Sequence, residues 1–446
     1  MLGLLGEYDV VVAGAGVTGV AAATAAARQG ARTLLIEGSG TLGGMITAGL
    51  LTKPTGPVEG GIYLEMLERA RALGGGDTGS HETHYGSYTG TFDSQVMQRA
   101  IIEMLEESRV EVLLRAQVVG ALRNDAVRGL ELYTKSGRRL VLARAVVDST
   151  GDGDVAALAG AEFLLGRPKD GLTQPMTAYF RVINVDMPRL AAFLKANRED
   201  LSDLVLPEEG GGRNEDYVFK LYARGFWKLI QRAKEAGDWT VPKGYMLIKA
   251  GLLPGEINVN ATRVQGNALD DVVLSRAEIE ARKQVYGVFD FLRKYLPGFE
   301  AAALLEVAPY LGVRETRRIV GDYLLTGDDV RQGRRFSDSI GLAKSPIDIH
   351  EPGAETGVNI GVGNGYTVPY RCILPKGIEG LLMAGRCLSA DEVAYASARN
   401  TPVCALTGQA AGTAAALAAH AGLPPRQVEV VVLQRRLAEA GIPLGL

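Results

Sequence analysis

The chain has 446 residues, of which 47% are hydrophobic and 22% are charged, which is enough for a globular protein with two domains or one large domain with an insertion. A formal net charge of −3 and the lack of any uncharged apolar stretch of about 18 residues argue against nucleic acid or a membrane as the main partner. The three cysteines form no C-x-x-C or metal-ligand set, and the first residues carry no basic signal-peptide region, so we expect reduced thiols, no metal site and a cytoplasmic location.

The first predicted strand, residues 9–13, runs into a glycine-rich turn and an alanine-rich helix. That turn consists of Gly14, Ala15, Gly16, Val17, Thr18 and Gly19. In a dinucleotide-binding turn the first glycine allows the tight bend, the second lets the backbone approach a pyrophosphate, and the third lets helix and strand pack closely. The second strand ends at Glu37, whose carboxylate suits the hydroxyls of an adenosine ribose and would repel a 2′-phosphate. This order of elements predicts a dinucleotide site.

Two later segments extend this predicted site. Gly43, Gly44 and Met45 follow the acid within one short loop, where glycine would let the backbone approach a second part of the ligand. A nicotinamide-type unit does not need such a loop. Residues 143–152 indicate a buried strand that ends in a glycine turn, and this turn contains Thr150, Gly151 and Asp152.

Near the C-terminus, residues 380–386 predict another buried strand, which ends at Gly385 and Arg386. A long helix then opens around Asn400, with Thr401 as the expected N-cap and Pro402 at the first helical position. The free N–H groups of Val403 and Cys404 should therefore point at an electron-rich group. Cys404 has two interpretations: a thiol whose pKa is depressed by the helix N-terminus, or a buried and inert side chain.

These segments together resemble the two-dinucleotide-fold flavoproteins that bind FAD, the superfamily of glutathione reductase and fumarate reductase. Within it, the chain most resembles the broad family of FAD-dependent oxidoreductases. The motifs that carry the resemblance span nearly the whole chain and are Leu42–Met45, Asp148–Asp154, Gln174–Thr177, Arg314–Arg318, Ile347–His350, Pro369–Arg371, Ala384–Cys387 and Gly408–Gly412.

The resemblance implies an α/β fold, with a Rossmann-like FAD-binding domain of the glutathione reductase type (GR2-type) and an inserted α+β substrate or cap domain. Residues 1–160 and 366–446 would form the FAD-binding domain, and residues 161–365 the cap, which would supply specificity and exclude water. It also implies FAD contacts for the turn, loop and helix residues named above, and for Val118. Many members have Asp after the glycine of the late strand, whereas this chain has Arg386, which could face the pyrophosphate instead.

Within the expected cap, two local patterns predict secondary structure. Residues 174–182 are strand-like, and residues 276–295 show the apolar spacing of a half-exposed helix.

Candidates for the proton-transfer role are few, because the chain has only four histidines. His350 ends a short apolar strand, and an ordinary imidazole pKa of about 6.5 suits proton exchange at neutral pH. Tyr370, where the chain returns to the flavin domain, is an alternative proton donor. His81 and His84 lie in a polar stretch that is either a solvated loop or a lid contributing a base or a histidyl link to flavin.

Arginines offer anchoring sites for an anionic substrate, because a guanidinium group binds a carboxylate with two parallel hydrogen bonds. Arg314 and Arg317 belong to one cluster, although ion pairs with Glu315 and Asp322 would explain them equally well. Arg371 would lie near the flavin ring, as a substrate anchor or as a stabiliser of reduced-flavin charge.

We therefore predict an FAD-dependent oxidoreductase that transfers a hydride between flavin N5 and a small, anionic organic substrate, with His350 or Tyr370 handling the proton. Two alternatives stay open at this point: a flavin-dependent monooxygenase, and a non-enzymatic flavin subunit for electron transfer or sensing. The expected partner is a small molecule, and a homo-oligomer is compatible with the sequence.

Overall fold

The computed structural model of the chain describes residues 3–83, 86–208 and 211–446, with the side chains of residues 80–83 and 86–88 left aside. Its strands are β1 Gly3–Ala13, β2 Thr33–Glu37, β3 Gly76–Thr83, β4 Gly86–Phe92, β5 Glu111–Leu114, β6 Gln117–Arg123, β7 Val127–Thr134, β8 Gly137–Asp148, β9 Phe163–Leu165, β10 Tyr179–Ile183, β11 Leu201–Val205, β12 Tyr222–Gly225, β13 Met246–Ala250, β14 Ile257–Asn260, β15 Ala303–Val307, β16 Arg317–Ile319, β17 Ser339–Ala343, β18 Ile347–Ile349, β19 Val358–Ile360, β20 Tyr366–Pro369 and β21 Leu381–Met383.

The α-helices are α1 Val17–Arg28, α2 Gly61–Ala72, α3 Ser94–Glu107, α4 Asp154–Leu158, α5 Met187–Ala196, α6 Trp227–Glu235, α7 Asp271–Tyr295, α8 Gly327–Arg331, α9 Glu392–Ala398, α10 Thr401–Ala421 and α11 Val430–Glu439. No helix in the described part of the chain is both long and apolar enough to cross a membrane.

The first sheet has the strand order β5-β2-β1-β8-β7-β6, and β21 pairs with β8. β1 runs parallel to β2 and β8, while β7 is antiparallel to β8 and to β6. Residues 10–13 are completely buried because helices cover the sheet, as in other parallel sheets. The predicted α/β fold with a Rossmann-like sheet is confirmed.

The second sheet is antiparallel, with the strand order β11-β12-β13-β14-β10-β15. Its core includes side chains of α5, α6 and α7. The helix predicted at residues 276–295 is confirmed as the C-terminal part of α7, which begins earlier because Asp270 caps it through hydrogen bonds from Val272 and Val273. Of the stretch predicted as strand-like at residues 174–182, β10 includes only the second half.

Apolar packing divides the chain differently from the predicted boundary at residue 365. The core of the second sheet draws on residues 176–311. Leu325, Ile340 and Ile347 instead pack in the core that contains α1 and α10. We therefore propose that the inserted unit ends near Leu311, and that the following segment belongs to the first sheet's domain.

α1 and α10 approach so closely that only glycine fits between their backbones. A Cβ on Gly408 would lie 2.2 Å from the Thr18 carbonyl oxygen, and one on Gly412 would lie 2.0 Å from that of Ala22. A Cβ on Gly385, which lies just after β21 in the chain, would come within 2.5 Å of the Thr18 hydroxyl oxygen. This packing places the N-terminal ends of both helices at the same edge of the first sheet.

Candidate active site

The glycine turn after β1 has the geometry of a phosphate cradle. Gly14 has φ of +91°, and a Cβ on Gly19 would lie 1.7 Å from the Gly14 carbonyl oxygen, so both positions require glycine. Gly16 differs, because a Cβ there would meet nothing within 4 Å. Gly16 is also the N-cap of α1 and has no side chain to satisfy the first N–H groups. The open space at this helix N-terminus fits a pyrophosphate.

Glu37 is fixed at the end of β2 by the turn itself. Its Oε2 accepts a hydrogen bond from Ala15 N at 2.8 Å, and its Oε1 accepts one from Ser39 N at 2.8 Å. The carboxylate therefore lies beside the cradle, where the sequence predicted a ribose contact. Val118, in β6, packs against the apolar core that also contains Ile36.

The second glycine pair lies directly against the first turn. Gly43 and Gly44 both have positive φ, and Gly43 N donates to Ala15 O at 2.8 Å. A Cβ on Gly44 would come within 3.1 Å of Gly16 Cα. Met45 follows and lines the large cavity described below. The loop thus connects the dinucleotide turn to that cavity.

Arg386 joins the late strand to the turn after β8. Its Nη2 lies 2.9 Å from Asp152 Oδ1, and a Cβ on Gly151 would meet that same Nη2 at 2.6 Å. Its Nη1 is buried and has no hydrogen-bond partner among the described residues. Thr150 donates its hydroxyl proton to Asp148 Oδ1 at 2.7 Å, which holds the turn in place. The unpartnered guanidinium N–H fits an electron-rich ligand such as FAD.

α10 begins at Thr401, one residue earlier than the sequence predicted. Asn400 is the N-cap instead of Thr401, and its amide donates to Pro346 O at 3.1 Å. Cys404 N donates to Asn400 O at 2.9 Å, so the expectation of a free N–H at Cys404 is wrong. The N–H groups of Thr401 and Val403 precede this first helical hydrogen bond. They are the ones left for an electron-rich ligand.

Of the two interpretations of Cys404, the structure agrees with a buried and inert side chain. Burial raises the pKa of Cys404 to about 12, and its Sγ lies 3.1 Å from Arg399 O. The helix N-terminus does not outweigh the loss of hydration around this side chain.

A cavity with about 1140 Å³ of atom-free space, partly open to solvent, separates this FAD-binding edge from the inserted antiparallel sheet. Its wall at the FAD-binding edge includes Met45, Arg386, Asn400 and Thr401. The opposite wall comes from β10, β12, β13 and β14, whose inward residues are Tyr179, Tyr222, Arg224, Leu247, Lys249 and Asn260. Arg314, Asp348, His350 and Arg399 complete the lining. The geometry therefore brings the FAD elements and the inserted sheet to one common space.

The lining of this cavity is strongly cationic. Its described basic residues are Lys53, Arg224, Lys249, Arg314, Arg386 and Arg399. Among the described lining residues, Asp348 is the only one that carries a carboxylate. Such a surplus of positive charge attracts anions into a cleft with low-dielectric walls.

His350 lies in this cavity as a neutral imidazole. Burial, followed by the charge of Arg314, lowers the pKa of His350 to about 3. Its Nε2 lies 3.2 Å from Asp348 Oδ2, and Nδ1 is buried without a described hydrogen-bond partner. Burial alone would raise the pKa of Asp348, but His350 and Arg399 hold it below its usual range. The ionised Asp348 therefore favours the tautomer with the proton on Nε2, which leaves Nδ1 as the proton acceptor.

Arg314 is the cation without a carboxylate partner in this part of the cavity. Its Nη1 donates to the carbonyl oxygen of Pro175, and no ion pair joins it to a described acid. Burial, together with the nearby Arg399, lowers the pKa of Arg314 to about 10. The guanidinium is still charged at neutral pH and can bind an incoming anion.

The other arginines of the same motif have structural partners. Arg317 donates to Asp154 Oδ1 at 2.9 Å and to Asp152 O at 3.0 Å, and it does not line the cavity. Arg318 forms a buried pair with Glu315 at 2.6 Å. Asp322, which the sequence offered as a partner for this cluster, pairs with Arg426 instead. The two arginines do not converge as expected: Arg314 lies in the cavity and Arg317 does not.

Tyr370 and Arg371 lie outside the cavity, contrary to the expectation that they would meet the flavin ring. Tyr370 is 2% exposed, and its hydroxyl donates to Pro425 O at 2.7 Å. Arg371 pairs with Asp338 at 2.9 Å on the surface. The short helical turn they form packs against the C-terminal segment through the hydrogen bond from Tyr370 to Pro425. Neither residue is therefore in a position to contact a substrate in the cavity.

The histidine-containing stretch near residue 80 is not the loop that the sequence indicated. His81 belongs to β3, which pairs with β4 in a hairpin. His84 lies outside the described residues, as does the side chain of His81, so the proposed lid and histidyl link stay predictions.

Sequence reasoning missed most of the cavity wall formed by the second sheet. Tyr179, Asn260, Leu247 and Arg224 are successive cross-strand neighbours in β10, β14, β13 and β12. Residues far apart in the chain thus share one face because of strand register. The available signal was the two-residue spacing of Tyr222 with Arg224 and of Leu247 with Lys249, which marks one face of a strand.

Comparison with known proteins agrees with these observations. Residues 9–437 match the family model described as FAD dependent oxidoreductase. No curated protein sequence matches the chain.

Solved structures resemble the chain only distantly. A geranylgeranyl bacteriochlorophyll reductase-like protein from Thermoplasma acidophilum is 14% identical over 98% of this chain and 84% of that one, with a TM-score of 0.47. p-Nitrophenol 4-monooxygenase from Pseudomonas putida is 11% identical over 98% and 85%, with a TM-score of 0.48. The flavin-dependent brominase Bmp2 is 12% identical over 96% and 83%, with a TM-score of 0.49. Likeness at this level carries no conclusion about the reaction.

Proposed function

The chain belongs to the FAD-dependent oxidoreductase family, and on that premise we propose that it transfers a hydride between flavin N5 and a small anionic organic substrate, with Arg314 binding the anion and His350 exchanging the proton. As in its family, the enzyme's cofactor is FAD. The observation that carries the proposal is the presence of an unpaired Arg314 and a neutral His350 in a single cavity bordered by the FAD elements.

The residues at the FAD edge fit the cofactor. The open space at Gly16, the unpartnered Nη1 of Arg386 and the free N–H groups that begin α10 all favour an electron-rich ligand. Bound FAD supplies the two-electron chemistry that no side chain of this chain provides. The protein's own tasks are to hold the substrate beside it and to move a proton.

His350 suits proton exchange because its neutral Nδ1 can accept a proton while Asp348 stabilises the resulting imidazolium through Nε2. Arg399 supports this pair from the other side, since its Nη2 donates to Asp348 Oδ2 at 3.2 Å. A substrate anion at Arg314 would also offset the positive field that lowers the pKa of His350. Binding and proton acceptance therefore reinforce each other.

Kinetics of the FAD-loaded enzyme test the anchoring role. A panel of organic acids, alcohols and amines is screened for anaerobic bleaching of the flavin, and the best reductant is then used with variants. Arg314→Ala should raise KM for an anionic substrate about 10- to 100-fold, because a charge-assisted hydrogen bond is lost. Arg371→Ala is the matched control, since this arginine lies outside the cavity, and it should leave KM unchanged.

Unchanged kinetics in Arg314→Ala on a confirmed substrate would falsify the anchoring role. A larger effect from Arg371→Ala would show that the substrate binds elsewhere. Substrate-dependent NAD(P)H oxidation with oxygen uptake would replace hydride exchange with the monooxygenase reaction.

A further inference from the structure

Lys249 is a buried amine that the proposed reaction does not use. It lies in β13, lines the same cavity as Arg314 and is 3% exposed. Its amine forms no hydrogen bond or ion pair with any described residue. In the sheet it stands between Tyr222 of β12 and Asn258 of β14. A buried polar group without a partner costs free energy, so the retention of this amine points to a ligand.

The charges around Lys249 do not neutralise it. Lys53 approaches from another segment, with its Nζ 4.7 Å from the centre of the Tyr222 ring. Glu256 is the acid whose charge acts on Lys249, but Arg181 already forms an ion pair with it at 3.1 Å. Burial, followed by Lys53, lowers the pKa of Lys249 well below that of a free lysine, and Glu256 opposes this only in part. An anion entering the cavity would supply the missing counter-charge.

Lys249 and Arg314 stand at different levels of the inserted sheet. Arg314 is level with Pro175, to whose carbonyl oxygen it donates. Lys249 is level with Arg181, through the register of β10, β14 and β13. The extended stretch from Pro175 to Arg181 covers roughly 20 Å of backbone at about 3.3 Å per residue. The two side chains therefore reach the cavity at different positions along its sheet wall.

We propose that Lys249 binds a second anionic group of the substrate, so that the substrate is an elongated molecule with one anion against Arg314 and another against Lys249. This inference rests on the proposed function, because Arg314 provides the first anchor. Tyr179, Leu247 and Asn260 lie on the sheet face between the two anchors and contact the uncharged middle.

Binding to the FAD-loaded full chain tests the proposal. The probes are α,ω-dicarboxylates from succinate to sebacate and the monocarboxylates of matched length, and Kd is read from the change in flavin absorbance. The longer dicarboxylates should bind about 10- to 100-fold more tightly than the matched monocarboxylates, the difference expected for one more charge-assisted contact. Lys249→Met should abolish that difference, whereas Lys344→Met, outside this cavity, should retain it.

A measurement on the unmodified enzyme covers the case in which Lys249→Met does not fold. Titration calorimetry at pH 8 in buffers of different ionisation enthalpy counts the protons taken up on binding. A dicarboxylate should take up more protons than its matched monocarboxylate, because the second anion favours the charged form of Lys249, and of its neighbour Lys53, over the neutral amine.

The outcomes separate this inference from the proposed function. Equal affinity and equal proton uptake for the two series, with binding still weakened by Arg314→Ala, would overturn the role of Lys249 and leave the Arg314 anchor standing. Insensitivity of every carboxylate to Arg314→Ala would overturn both. Loss of the dicarboxylate preference in Lys249→Met alone, with FAD content unchanged, supports the second anchor.

Discussion

The FAD-binding edge and the wall formed by the inserted sheet, which face each other across one cavity, are built on different principles. At the FAD edge, backbone segments pack directly against each other. A Cβ on Gly19, Gly408 or Gly412 would lie within 2.2 Å of a carbonyl oxygen. At the inserted sheet, side chains form the wall, and polar or charged residues alternate with apolar core residues along β10, β12 and β14. The first region is specified by the absence of side chains and the second by their charge.

This difference separates folding from function. Changes at the FAD edge should damage the fold and the cofactor site together, because the same close contacts serve both. Changes at the cavity wall should alter binding and catalysis while the fold survives, because those side chains face open space.

The largest effect is expected at the glycine turn. Gly19→Ala should prevent folding or FAD binding, because the new methyl group would meet the Gly14 carbonyl oxygen at 1.7 Å and the backbone cannot yield. Gly16→Ala is the matched control, since its Cβ meets nothing within 4 Å. It should fold normally and bind FAD weakly, because the methyl group occupies the phosphate cradle. Absorbance near the flavin band and thermal unfolding of the apoprotein measure the two effects separately.

His350→Gln should lower kcat about 10²- to 10⁴-fold, the usual contribution of a general base, while FAD content and unfolding temperature stay close to those of the parent enzyme. His420→Gln, at the exposed end of α10, is the control and should retain full activity. A kcat for His350→Gln equal to that of the control would remove His350 from the reaction. Simultaneous loss of FAD would instead assign it a structural role.

Arg318 forms a buried ion pair with Glu315 outside the cavity, and its loss should act on stability. Arg318→Met leaves Glu315 buried without its partner, and the free energy of unfolding should fall by about 3–5 kcal/mol. Arg189→Met breaks the exposed pair with Glu300 and should cost less than about 1 kcal/mol. Urea midpoints of the two variants test this contrast. Adding Glu315→Gln to Arg318→Met should recover part of the loss, and no recovery would contradict the assignment.

The smallest effect concerns the pH dependence of kcat/KM, which reports groups of the free enzyme. His350 accepts a proton only while neutral, and its pKa in the free enzyme is lowered to about 3. Its acid limb should therefore lie well below pH 6.5, the value for an ordinary imidazole. Removing the positive charge in Arg314→Ala should raise this pKa and move the limb to higher pH. A limb near pH 6.5 in the parent enzyme would show that His350 is not desolvated as the structure indicates.

The same contrast explains what could be predicted from the sequence. The turn from Gly14 to Gly19, Glu37 and the Gly43–Gly44 loop are short local patterns, and the structure brings them together as expected. Their signal is local because each glycine is demanded by atoms close to it. The family and the cofactor could be predicted from these local motifs.

The cavity wall could not be predicted in the same way. Tyr179 and Arg224 share a face only because four strands align in one register, and no local pattern specifies that alignment. Tyr370 and Arg371 were misplaced because their partners, Pro425 and Asp338, are distant in the chain and meet them only through tertiary packing. His350 was predicted to exchange protons with an ordinary imidazole pKa, but its lowered pKa arises from burial that only the tertiary structure creates.

A crystal structure of the FAD-loaded enzyme with a bound long-chain dicarboxylate tests the central claim most directly. We expect the pyrophosphate at Gly16, the flavin ring at the N-terminus of α10, and one carboxylate within hydrogen-bond distance of Arg314 on the cavity side. A flavin ring that lies outside this cavity, or a carboxylate bound away from Arg314, would contradict the account.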